Sequence, residues 1–414
     1  MLARVVAGGV LAAPASPPYR GERDRHAYSA VVLSAAPALD HLRDAAPPCL
    51  WARDTTRPEF FLASLSKGQW VPCVVVVSRG TAMVGIVYAK QRRLAGLSTG
   101  IVYADGSLGT MVVADPLDHE DVLAVALQQL FASAGVRGVR LVIPPNGPEQ
   151  RAVTRAHAAM GLDVAYTRVA NHARLLLPHS YQEFLHGLGA QTRRNFRRYR
   201  CHFETAGHRY IEHLSADEFR QAAWALQTKS RIPSARRAIE RSVNMMAAVD
   251  RPMAVGLRHR SGEWLSVAGG WYDASRVTLF LQLNQDRAFA DLSLSVVLRA
   301  HLIDMLIRQG RRELVFWAGT APPLSRYASC VPAVGVHLDL PTHGWRTIRS
   351  VLARLGAWMP RRMAAEVRWI APAGSLPARG QPSCAECCDA AGLAPSQQLS
   401  PNAMMTDRGL SHLC

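Results

Sequence analysis

Hydrophobic positions along this chain switch repeatedly between a period of two and a period near 3.6, so strands and helices are expected to alternate from about Tyr28 onward. The β-branched run Pro72–Ser78 is followed by the turn Arg79-Gly80 and a second run, Thr81–Tyr88, which together read as a hairpin. Leu97–Tyr103 is another extended stretch. A helix begins at Asp118, with Val122, Val125, Ala126 and Leu130 on one stripe, and ends near Gly135. Val139–Ile143 reads as a strand stopped by Pro144-Pro145, Arg151–Met160 as a helix, and Leu162–Val169 as a strand.

The second half repeats this order. Residues 171–177 are its expected first strand, Met253–His259 and Trp264–Tyr272 its hairpin, and Arg276–Asn284 its third strand, with Val277, Leu279, Leu281 and Leu283 alternating against Thr278, Phe280 and Gln282. Leu292–Gln309 follows as a helix with Val296, Ala300, Ile303 and Ile307 on one stripe. Glu313–Trp317 and Val334–Leu340 are the last strands, with a helical turn at Pro323–Ser329 between them. The pattern is an approximate duplication of about 150 residues without residue-level repetition.

The expected fold class is therefore α/β, with two units at 28–170 and 171–342, each a mixed sheet flanked by helices. A length of 414 residues suits two domains. Residues 1–27, rich in Ala, Pro and Arg, read as a loose leader, 343–370 as an Arg-rich helical extension, and 371–414 as a disordered tail of Pro, Ala, Gly, Ser and Gln.

Three stretches carry a resemblance to a known family. They are Gln191–Arg200, then Ala268–Asp273 with the strand Val277–Asn284 behind it, and Phe316–Gly319 leading to Arg326-Tyr327. Together with the element order they resemble the GNAT acyltransferase fold. The tandem arrangement resembles the cellulose-biosynthesis-type acetyltransferases, which are related to Fem-type peptidyltransferases. The resemblance covers roughly residues 30–340 and implies an acyltransferase using acetyl-CoA or another acyl-CoA as co-substrate. Two positions depart from the family's pattern: Asp291–Ser295 contains no Gly before the helix, and Val315–Trp317 carries no acid.

Charge changes this picture only in part. The formal net charge is +17, which points toward anions, yet all but three of the 48 basic residues are Arg, and alongside the abundant Ala this reads as coding bias. An anionic small molecule is preferred over nucleic acid as a partner. With 49% hydrophobic and 19% charged residues the chain is not a solvating, disordered one, and no window of 18 consecutive apolar residues marks a transmembrane helix. Eight scattered Cys form no disulfide framework, which fits a reducing compartment, the cytoplasm. Arg4, the apolar run Val5–Ala13 and Ala13-Pro14-Ala15 form a weak signal-peptide-like N-terminus, with a single charge and Gly8-Gly9 inside the run. Cys384, Cys387 and Cys388 lack the second ligand pair that zinc requires, so no metal is expected.

The start of the second unit's long helix is the candidate cofactor site, because first-turn amides and the helix dipole favour a diphosphate. Asn284, Arg287, Ser293 and Ser295 are the expected cofactor-binding residues. The first unit's counterpart begins Pro116–Asp121, with three acids that would repel a diphosphate. The basic helix from 191 offers Arg193, Arg194, Arg197 and Arg198 to CoA phosphates or an anionic acceptor, with Arg200 beside Arg193 and Arg197. GNAT enzymes often keep a Tyr that protonates the departing thiolate, a role the resemblance assigns to Tyr327. Asp286 is the candidate base, with Asp273 and Glu263 as alternatives. The acceptor is expected to be a small molecule or a polysaccharide. Nucleic acid enters only in an alternative reading, a Fem-type transferase using aminoacyl-tRNA. A further alternative is a non-catalytic duplicated scaffold.

Overall fold

The computed structural model describes residues 28–356 except 66–68, 95, 168, 170–171, 231–234, 286–288, 290–291, 318 and 321, together with 376–377. The chain is mixed α/β, as expected, and divides into two units.

In the first unit, β1 (Tyr28–Leu33), β3 (Val74–Arg79), β4 (Ala82–Val87) and β7 (Val112–Ala114) form an antiparallel sheet. A second sheet contains β2 (Trp70–Pro72), β5 (Lys90–Leu94), β6 (Leu97–Asp105), β8 (Gly138–Ile143) and β9 (Asp163–Thr167). β6 and β8 run parallel, which requires a crossover; α4 (His119–Ala132) supplies it, and α5 (Pro148–Met160) follows β8. The all-Val start of β3 is explained by burial on both faces. Val75 and Val77 pack with α4, whereas Val74 and Val76 pack with the short helices α1 (Ala36–Asp40) and α2 (Leu42–Ala45), near α3 (Pro58–Ala63).

The second unit has one seven-stranded sheet in the order β11 (Arg209–Ile211), β12 (Pro252–Arg258), β13 (Trp264–Asp273), β14 (Arg276–Asn284), β15 (Glu313–Phe316), β10 (Ala173–Leu176), β16 (Ser329–Cys330). One face is covered by α6 (Tyr181–Gly187), α7 (Ala190–Thr205) and α10 (Leu294–Arg308). The other is covered by α8 (Ala216–Leu226) and α9 (Ala235–Ala247). In this sheet β10, the first strand of the unit in chain order, lies between β15 and β16.

The four apolar side chains of β14 do not share a face. Val277 and Leu279 enter the core beneath α10, while Leu281 and Leu283 enter the core beneath α8 and α9. The cause is a bulge: Gly270 pairs with Leu279 and Gly269 with Leu281, so Phe280 is the extra residue. The bulge is what turns Gln282, two residues further on, toward α10. Gly270 permits it, since a Cβ there would lie 1.8 Å from the Thr278 carbonyl oxygen. Gly270→Ala is expected to cost about 3 kcal/mol, the upper end for overpacking, read as a lowered urea midpoint. An unchanged midpoint would show that the bulge can relax.

The boundary at 342 needs correction. β17 (Val334–Asp339), expected to close the second unit, is inserted between β8 and β9 of the first, antiparallel to both. Val334, Val336 and Leu338 fill the first unit's core beside Val139 and Leu141. The Arg-rich extension is helical as far as α11 (His343–Gly356); its remainder lies outside the described residues. Leu376–Pro377 (β18), within the stretch expected to be disordered, pairs with β9.

His337 on β17 lies 3.2 Å from the Thr167 hydroxyl. Burial, with Arg140 and Arg349 adding to it, pulls its pKa down to about 2. The unfolded imidazole takes its proton near 6.5, so the folded state binds fewer protons below that pH. Its contribution is therefore fully present above about pH 6.5 and is lost as the pH falls toward the folded value, with a limiting slope of about 1.4 kcal/mol per pH unit. His337→Gln is expected to flatten the acid-side loss of stability between about pH 6 and 4, measured as urea midpoints. An equally steep loss in the variant would assign it to other groups.

Candidate functional site

β14 and β15 run parallel and pair only from Arg276–Leu279 against Glu313–Phe316, with one further bond from the Trp317 amide to the Leu279 carbonyl at 2.9 Å. Beyond Leu279, β14 continues to Asn284 along β13, and among the described residues no strand pairs with its other edge. The strands thus diverge, and the β14 edge opens backbone donors and acceptors to the gap.

α10 begins close in sequence to the end of β14. Its N-cap, Ser293, is left-handed at φ 44°, and the Ser293 carbonyl accepts from the Val296 and Val297 amides at 2.8 and 3.1 Å. The Ser293 hydroxyl makes no capping bond and the first turn holds no acid. The half-buried Ser293 and Ser295 thus flank first-turn amides that precede the first intrahelical donor, the Val296 amide. Asn284 sits further back, where its side-chain oxygen accepts from the Ser266 hydroxyl at 2.7 Å and from the Gln282 amide at 3.1 Å. Arg287 and Asp286 lie outside the described residues.

The first unit's equivalent helix start is already occupied by its own charges. Asp118 is paired with Arg79 and accepts from the Tyr28 hydroxyl at 3.1 Å, Glu120 is held by Arg151 at 2.7 Å, and Asp121 by Arg155 at 2.5 Å. These carboxylates satisfy the dipole and leave that end unsuited to a diphosphate.

One residue of this region was missed by sequence reasoning. Arg299, in the second turn of α10, is only 8% exposed. Its Nε donates to the Gln282 side-chain oxygen at 3.1 Å, and its Cζ lies 5.3 Å from the Phe316 ring centroid. Burial draws its pKa down to about 10, so it is still a cation at neutral pH. The available signal was a charge placed between Leu298 and Ala300 in a mostly apolar helix.

The predicted basic helix is α7. Arg193, Arg194, Arg197 and Arg198, with Ala190 and Cys201, line a shallow depression of about 410 Å³. Arg197 reaches the Gln182 side chain at 3.4 Å and Arg198 lies over Tyr199; among the described residues no carboxylate pairs with any of the four. One of them, Arg193, stands at the end of the first turn, where the dipole disfavours cations. Arg200 differs: it turns toward α10, bonding Asp304 at 3.0 Å as well as Glu204 at 2.9 Å.

Tyr327, just past the short helical turn Leu324–Arg326, brings its hydroxyl to the start of α7, where it accepts from the Gly189 amide at 2.8 Å. Hydrogen bonds from Thr192 first, then Gly189, hold its pKa below the usual phenol value. In this position it caps α7. Two candidate bases are engaged in pairs: Asp273 binds Arg276 at 2.6 Å, and Glu263 binds Lys229 and is 3.4 Å from Gln285. Cys384, Cys387 and Cys388 lie outside the described residues.

No family model and no curated protein matches the chain. Among solved structures it is similar to FemX, at 11% identity over 73% of this chain and 95% of that one, with a TM-score of 0.46. It is similar also to a tandem GNAT protein from the clavulanic acid biosynthesis pathway, at 13% identity over 75% and 97%, TM-score 0.43. A third is a conserved protein of unknown function from Bacteroides thetaiotaomicron, at 11% over 74% and 99%, TM-score 0.48.

Proposed function

We propose that the second unit transfers an acyl group from a CoA thioester to an amine or hydroxyl on a small-molecule or polysaccharide acceptor. The observation that carries this reading is the divergence of β14 from β15 beside an acid-free helix start. The diphosphate of acetyl-CoA, or of another acyl-CoA, is taken by the first-turn amides of α10 with the Ser293 and Ser295 hydroxyls. The pantetheine arm then lies along the open β14 edge, bonded as a further strand would be. A backbone amide of that edge polarises the thioester carbonyl. The acceptor nitrogen or oxygen bonds to the carbonyl carbon, the C–S bond breaks with its electron pair on sulfur, and the acceptor's proton is balanced by protonation of the thiolate. Positioning supplies most of the rate, so no covalent enzyme intermediate is required.

Within this reading the protein is a tandem GNAT-type enzyme akin to the cellulose-biosynthesis-type acetyltransferases. Titration of the full chain with acetyl-CoA tests it: micromolar binding and mass-resolved acyl transfer to pooled metabolites are expected, and absence of binding to every acyl-CoA overturns it. The unpaired arginines of α7 favour a second reading, in which an aminoacyl-tRNA is the donor. Steeply salt-dependent tRNA binding would select that reading.

A further inference from the structure

Resting on the acyl-transfer reading, we infer that Arg299 receives a carboxylate carried into the gap between β14 and β15 by one of the two reactants. Its guanidinium stands where those strands part, over Phe316, the last strand residue of β15, and against Gln282, on the diverging part of β14.

Three side chains hold it there. Ser266 donates to Asn284, Gln282 donates to the same Asn284 oxygen, and Gln282 in turn accepts from Arg299 Nε. Because a guanidinium can only donate, Gln282 must present its oxygen to Arg299 Nε and its amide nitrogen to Asn284. The two terminal nitrogens have no hydrogen-bond partner and no ion pair among the described residues. They form a fork whose geometry matches the two oxygens of a carboxylate.

Packing alone does not account for this residue. A buried cation without a counter-charge is strongly disfavoured, and Leu or Met would fill the same space beside Phe316 without that penalty. Of the other two buried arginines among the described residues, Arg92 bonds the Gln69 side-chain oxygen at 3.3 Å and lies over Trp70, while Arg140 in the first unit has its carboxylate in Asp339 at 2.8 Å. Arg299 lacks the equivalent, and a single positive charge matches a carboxylate better than a phosphate dianion. Its place one turn beyond the start of α10 also separates it from the helix start assigned to the diphosphate.

The carboxylate can come with the donor, as in a dicarboxylic acyl-CoA, or with the acceptor, as in an amino acid. The test uses the full chain and its Arg299→Gln variant. If the donor brings it, succinyl-CoA binds at least about tenfold more tightly than acetyl-CoA, and the variant loses the difference. If the acceptor brings it, both donors bind alike, a pool of amino acids is acylated from acetyl-CoA in preference to the pool of their amides, and the variant loses that preference. Absence of both preferences, or their persistence in the variant, overturns the proposal. Thermal unfolding in sodium formate against sodium chloride at equal ionic strength separates its failure from that of the acyl-transfer reading. Formate-specific stabilisation that vanishes in Arg299→Gln supports the anion site even where no acyl-CoA binds. Should Arg299→Gln not fold, Gln282→Leu retains the charge but frees the fork, and a severalfold loss of the same preferences is expected; unchanged preferences there count against the proposal.

Discussion

Asp339→Ala is expected to lower the stability of the first unit by about 3–5 kcal/mol, the range for stripping one partner from a buried ion pair. Asp339 closes β17 at 1% exposure, and three donors converge on it. Arg140 and the Trp345 indole reach Oδ1 at 2.8 and 2.9 Å, and Arg349 reaches Oδ2 at 2.7 Å. Removing the carboxylate leaves two guanidinium groups close together, one of them 2% exposed, without their shared counter-charge. It also removes the buried side chain that binds Trp345 and Arg349 of α11 to the sheet. The expected result is a lower denaturant midpoint with an unchanged slope. Asp163→Ala is the matched control: it breaks the exposed pair with Arg346 and should cost no more than about 1 kcal/mol. Equal losses in the two variants would remove burial as the cause.

That cluster also shows where sequence reasoning reaches its limit. The alternation of Val334, Val336 and Leu338 announces a strand, and the strand is there, but periodicity carries no information about which sheet receives it. Chain order favoured the second unit; the complementary charge of Arg140, 199 positions away, lies in the first. β14 failed differently. Its alternation was read as one apolar face, and the bulge at Phe280 divides it between two cores; only the adjacent Gly269-Gly270 hinted at a close backbone approach. α8 carries a readable start signal, since Ser215 and Glu218 form a capping box. Helices α4, α5, α7 and α10 were legible because each has a stripe long enough to fix its period. The contrast between the start of α10, with only Asp291 before it, and the three acids at the start of α4 was legible as well, being a local fact of composition. The orientation of Arg299 and Tyr327 was not, because each is set by partners distant in the chain.

Ser295→Asp is the sharpest test of the proposed cofactor site, since it should move stability and binding in opposite directions. Ser295 stands half-buried in the first turn of α10, which has no acidic residue. In the free protein a carboxylate there faces the positive end of the helix and unpaired amides, so stability should rise by about 0.3–1 kcal/mol. In the complex the same carboxylate meets a diphosphate. Two unit charges about 5 Å apart at an effective dielectric near 20 repel by about 3 kcal/mol, which weakens acyl-CoA binding by roughly a hundredfold. Added salt should recover part of the loss, because the site opens to solvent. Calorimetric titration with acetyl-CoA, alongside thermal unfolding, reads both effects. A variant that is merely misfolded would lose stability and binding together. The first unit provides the counterpart: Glu120→Ser removes an acid already held by Arg151 and Arg155 and should leave acyl-CoA binding unchanged. If Ser295→Asp binds acetyl-CoA as the parent does while Glu120→Ser does not, the diphosphate lies at α4 and the working site belongs to the first unit.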